Sequence, residues 1–172
     1  AGEKIHQVFA LEVTNPGGHS SRPVPDNAIY RLAVATQKIS QLSFPVQVTP
    51  VVREYFRVSG PLIGGEVGAA MSAVAKNPQD QAALERLMKD PSYNAVVHTT
   101  CVATQLEGGH APNALPQRAR VTLSCRVMQG TTPEQVKETL EKAIGDEQVK
   151  VAIVRRRDGS SGPPPTDEIM GP

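Results

Sequence analysis

The residues with chemistry to offer sit in two short loops and on one strand. The first loop, NPGGHSSRPVP (15–25), presents His19 directly after Gly17-Gly18. Glycine permits positive φ or close backbone approach, and an imidazole is a neutral donor or a cation near physiological pH. A histidine projected this way can stabilise a developing oxyanion. Taken alone, a solvated loop histidine is the commoner reading. The second loop, GGHAPNALP (108–116), carries Asn113, whose side chain can close the turn by an Asx-type hydrogen bond. Arg126 lies on the polar face of an alternating strand, where a planar guanidinium can grip a carboxylate through two parallel hydrogen bonds. A solvated arginine is the ordinary occupant of such a face.

A self-contained catalyst is missing from the sequence. It has no H-E-x-x-H, paired C-x-x-C, His-x-Asp, adjacent Glu pair or G-x-S-x-G. None of His6, His19, His98 and His110 has a neighbour at metal-ligand spacing, so no metal ligand is expected in this chain. PGGHSSRP is too rich in proline for a phosphate-cradling loop. Cys101 and Cys125 do not make a disulfide framework. A hairpin turning near 112–113 sets them roughly opposite each other, which allows a cross-strand disulfide. Two buried free thiols are the favoured expectation, because Cys125 falls on the apolar face.

The elements that must position these residues follow from periodicity. IHQVFALEVT (5–14) alternates, with Ile5, Gln7, Phe9, Leu11 and Val13 sharing one face of a first strand. Asp26 is the expected cap of a helix whose stripe is Ala28, Ile29, Leu32, Ala35, Ile39 and Leu42. Residues 45–94 read as a helical insertion, with Asn77-Pro78 starting one helix and Asp90-Pro91 ending it. VVHTTCVATQLE (96–107) is rich in β-branched residues and reads as a second strand. The third strand, 118–128, buries Ala119, Val121, Leu123, Cys125 and Val127 and turns Arg118, Arg120, Thr122, Ser124 and Arg126 outward. Thr132-Pro133-Glu134-Gln135 is a capping box opening a helix that Gly145 closes, and 148–154 is a fourth strand.

The order β-α-(helical insertion)-β-β-α-β predicts an α+β domain of the ferredoxin-like, split βαβ kind. Its four-stranded antiparallel sheet has strands one and three in the middle and two helices on one face. The expected domain is 1–158, and the Pro/Ser-rich stretch 159–172 reads as a linker. With 172 residues, 39% hydrophobic and 20% charged, the chain can build a core and is not a disordered tail. A net charge of +1 and only 3% aromatics argue against nucleic-acid binding. No apolar run is long enough to span a bilayer, so no membrane partner is expected. Nothing in the composition indicates a cellular compartment.

Taken together, NPGGHSSRPVPDNAI (15–29) and NALPQRARVTLSCRVMQGTTPEQV (113–136) resemble the lid, or dimerisation, domain of a zinc metallopeptidase family. That family includes aminoacylase, carboxypeptidase G, carnosinase, succinyl-diaminopimelate desuccinylase and carboxypeptidase S. The long helical stretch is similar to the carboxypeptidase-S-like subset. The resemblance implies a lid cut from a larger enzyme, with no cofactor of its own and two zinc ions in the catalytic domain that is its partner. It implies a homodimer through the lid, a peptide or N-acyl-amino-acid substrate, amide hydrolysis by the whole enzyme and an inactive fragment. The second strand and the first helix are the elements expected to pair with their twins.

Residue by residue, His19 corresponds to a histidine that reaches into the partner's active site and holds the tetrahedral oxyanion. Asn113 corresponds to a substrate-binding asparagine and Arg126 to an arginine that binds the substrate carboxylate. Gly18 shapes the loop. No family role attaches to His110. The rival reading is a stand-alone ferredoxin-like ligand-binding or regulatory module. A third, an acylphosphatase-type enzyme, lacks the required phosphate loop after the first strand.

Overall fold

A computed structural model describes residues 4–155. They divide into two compact units, a helical one at 44–99 and a sheet unit formed by 5–43 and 100–155. The expected linker at 159–172 lies outside the described residues.

The sheet unit is built on β1 (Ile5–Thr14), β3 (Thr100–Gly108), β5 (Arg118–Val127) and β6 (Lys150–Arg155). Their order is β3-β5-β1-β6, all antiparallel, with the first and third long strands central. This is the expected ferredoxin-like arrangement. Period-two alternation decides its faces: Phe9, Leu11, Val13, Val121, Leu123 and Cys125 are buried, while Arg118 and Arg126 are exposed. Helices α1 (Ala28–Ser40) and α6 (Pro133–Ile144) supply Leu32, Ala35, Ile39, Val136, Leu140 and Ile144 to the core. Truncating one of the fully buried leucines to alanine costs about 2–5 kcal/mol.

The caps explain where these helices begin. Asn27, not Asp26, caps α1: its Oδ1 accepts from Ile29 N at 2.9 Å. Asp26 is instead engaged by Arg31 at 2.9 Å, and the same guanidinium reaches Asp146 at 2.5 Å, just past α6. Thr132 and Gln135 form the anticipated capping box, and Gly145 closes α6 in the left-handed region at φ 61°.

The helical unit holds α2 (Pro50–Ile63), α3 (Gly65–Lys76), α4 (Gln81–Met88) and α5 (Pro91–Val97). Phe56, Met71, Val74, Leu87 and Val97 form its centre. α2 and α3 cross with Gly60 against Gly68, where a Cβ on either would strike the other's backbone. Two proline signals carry a different meaning from the one expected. Asn77 ends α3, and the next helix starts at Gln81 under an Asp80 cap, Oδ1 accepting from Ala83 N at 3.0 Å. Asp90-Pro91 starts a helix rather than ending one, with Asp90 Oδ1 accepting from Ser92 N at 2.8 Å. Val96 and Val97 are therefore helical and the strand begins at Thr100, because burial of Val97 outweighs its local β preference.

Candidate functional site

The two loops singled out in the sequence meet. β2 (Gly18–His19) and β4 (Ala114–Leu115) form a two-residue antiparallel ladder, with Gly18 opposite Leu115 and His19 opposite Ala114. Ser20 N donates to Asn113 O at 3.0 Å, and Asn15 N donates to Gln117 O at 2.9 Å. His19 and Asn113, both exposed, therefore share one rim at the end of the sheet where β1 leaves and β5 enters. This small sheet was not evident from the sequence, since two-residue strands carry no periodicity.

The glycines let the loops approach. Gly17 has φ 78°, and a Cβ there would lie 2.6 Å from Gln117 Cγ. Gly18 has φ 145°, and its Cβ would lie 3.3 Å from Leu115 Cδ1. An L side chain at either position faces both an unfavourable dihedral and a crowded neighbour.

The hydrogen bonds around His19 set its tautomer. Ser21 N donates to His19 Nδ1 at 3.2 Å, and Ser21 Oγ lies 2.8 Å from the same nitrogen. Nδ1 is thus the acceptor, so the neutral ring carries its proton on Nε2. The imidazole presents an N–H donor from an exposed loop.

Arg126 lies elsewhere. It is near the far end of β5, eight residues beyond Arg118, or about 26 Å along a strand at roughly 3.3 Å per residue. Its register partners are His6 on β1 and Thr100 on β3. The chain does not bring Arg126 to His19 and Asn113. His110 is exposed in the second loop.

The cysteines form a disulfide, contrary to the expectation of free thiols. The register is the reason: Cys101 and Cys125 are directly opposed on β3 and β5, so their sulfurs meet without rearrangement. Sequence reasoning left the pairing ambiguous because a hairpin's register depends on its turn.

β3 is an edge strand whose residues are mostly exposed, with Val102 and Leu106 open at 59% and 75%. A cleft of about 660 Å³ runs between it and α1, lined by Ile29, Leu32, Ala33 and Leu106 among others. Tyr30 and Val34 of α1 are exposed as well. Among the described residues no group of three His, Cys, Asp or Glu side chains is placed to hold a metal ion.

The comparisons with known proteins agree with this architecture. Residues 2–152 match the family model for the peptidase dimerisation domain, and the chain belongs to that family, the dimerisation domain of the M20 metallopeptidases. Over 170 residues it is 26% identical to the Mus musculus N-fatty-acyl-amino acid synthase/hydrolase PM20D1, a match covering 94% of this chain and 32% of the relative. It is 28% identical over 146 residues to the probable carboxypeptidase S-like 2 of Dictyostelium discoideum, covering 84% and 27% of the two chains. Human carnosine dipeptidase 1 shares the fold at a TM-score of 0.50 and 14% identity, over 87% of this chain and 36% of that one. The chain thus spans about a third of the length of the curated relatives it matches.

Proposed function

We propose that this chain is the lid and dimerisation part of a zinc-dependent amidohydrolase acting on peptides or N-acyl-amino acids, and that it completes its twin's active site. Metal-assisted hydrolysis belongs to a catalytic domain outside this chain, and the lid alone hydrolyses nothing. The two mammalian-type relatives named for N-fatty-acyl-amino acid chemistry support an N-acyl-amino acid as the substrate class.

The observation that carries the reading is the separation of the site residues. In an N-acyl-amino acid the carboxylate and the scissile carbonyl lie only about 4 Å apart. The loop pair that carries His19 lies beyond the Arg118 end of β5, and Arg126 lies about 26 Å along the strand from Arg118, so His19 and Arg126 of one chain do not serve one such substrate together. Two chains resolve this: His19 and Asn113 come from one protomer, and Arg126 from the other. His19 Nε2–H donates to the oxyanion as charge develops on it. Asn113 binds beside it. Arg126 grips the substrate carboxylate with its guanidinium. The open edge of β3 and the apolar side of α1 are the surfaces that pair.

Mixing two inactive variants of the full-length protein tests the arrangement. His19→Ala and Arg126→Ala homodimers each lose activity. Subunit exchange between them gives heterodimers with one damaged and one intact composite site, so about a quarter of wild-type activity returns. If each site draws both residues from one chain, no activity is restored and the reading fails.

A further inference from the structure

Along the open face of the sheet the charge pattern changes from one end to the other. At the Arg118 end, Glu12 Oε2 accepts from Arg118 Nη2 and Nε at 2.6 and 2.9 Å. Arg120 sits in register between Glu12 on β1 and Glu107 on β3. At the other end Arg126 sits between His6 and Thr100, and the next residues on the same face are Val8 and Val102. None of these is acidic. The Arg126 guanidinium is exposed and pairs with no carboxylate among the described residues.

Ser124 stands beside it, two residues back on the same face of β5 and half-buried. His6 Nε2 lies 3.0 Å from Ser124 Oγ, tying the hydroxyl to the neighbouring strand. With the proton on Nε2, the imidazole donates to Oγ, and the hydroxyl hydrogen is left to turn toward an outside acceptor. Residues two apart on a strand are about 6.6 Å apart at Cα, a gap an arginine side chain spans. In that tautomer one carboxylate can take a charged donor from Arg126 and a neutral one from Ser124.

We infer that Ser124, positioned by His6, is a specificity-determining residue for the carboxylate end of the substrate. The pair favours a free carboxylate over an uncharged amide there. This rests on the reading of Arg126 given above.

The test uses the full-length protein with an N-fatty-acyl-amino acid and its carboxamide counterpart. Ser124→Ala should raise KM for the carboxylate about tenfold, the loss of a hydrogen bond to a charged group. It should leave kcat, and KM for the carboxamide, within about twofold. His6→Leu should act in the same direction, and His6→Gln, whose amide can still donate to Ser124 Oγ, should restore most of the loss. Equal effects on both substrates would mark a merely structural role and overturn the inference. If Arg126→Ala raises KM for the carboxylate while Ser124→Ala does not, the inference fails and the reading of Arg126 stands. If Arg126→Ala leaves that KM unchanged, both fall.

Discussion

Ser20 donates its backbone N–H to the carbonyl of Asn113 at 3.0 Å, locking together two loops far apart in the chain. His19 and Asn113 thereby sit on one rim, held by the same short ladder. Removing an oxyanion donor typically costs about 10²–10³ in kcat. His19→Ala in the full-length protein should therefore lower kcat by that order and leave KM nearly unchanged. Steady-state kinetics on an N-acyl-amino acid decides it, and an unaltered kcat rejects the role.

The glycines that allow the approach are the loop's weak point. Gly17→Ala places a Cβ against Gln117 at a φ of 78°. The left-handed region costs an L residue roughly 1–2 kcal/mol. The ladder between β2 and β4 should loosen and activity should fall. The melting temperature should shift by only a few degrees, because the loop is exposed. Amide exchange at Ser20 and Asn15 measures the loosening directly.

The Cys101–Cys125 disulfide clips the edge strand to the sheet across a sequence separation of 24 residues. Constraining a loop of this size stabilises a fold by about 3 kcal/mol in the chain-entropy picture. A Cys101→Ser, Cys125→Ala variant should melt lower by that equivalent. The oxidised wild type should show no titratable thiol until it is unfolded and reduced.

The exposed apolar groups on α1 and β3 should hold the dimer. Replacing Leu106 and Val34, exposed at 75% and 53%, by lysine puts charge on both elements without touching the core. Dimer dissociation should strengthen at least about tenfold. Sedimentation equilibrium of the full-length protein reads this, and an unchanged dimer would place the interface elsewhere.

Asp146 links stability to pH. A hydrogen bond from Gln148 N, at 3.0 Å, and then the Arg31 pair hold its carboxyl below the ordinary carboxylate value against the opposing cost of desolvation. Because the folded-state pKa is depressed, its contribution is present above the unfolded value near 4 and is lost as pH falls through the folded one. Asp146→Asn should lower the melting temperature at neutral pH. The gap to wild type should close as the pH drops below about 4.

Much of this architecture was written in side-chain periodicity. Alternation along 5–14 and 118–127 made both central strands and their buried faces legible, since a one-residue slip would have turned Phe9 and Leu123 to water. Thr132 and Gln135 likewise announced their helix, because a capping box is a local hydrogen-bonding device. His19, Asn113 and Arg126 stood out as types and motifs, and their family resemblance gave each an expected role. Only the tertiary structure decided which of them share a site, because that depends on where chain ends meet in space. A two-residue ladder with no period of its own joined His19 to Asn113, and a full strand length parted Arg126 from them. The register of β3 against β5 turned an ambiguous pair of cysteines into a crosslink. Burial made a helix of the valines at 96 and 97, against their local preference, since Val97 is buried in the helical core and Val96 packs against it.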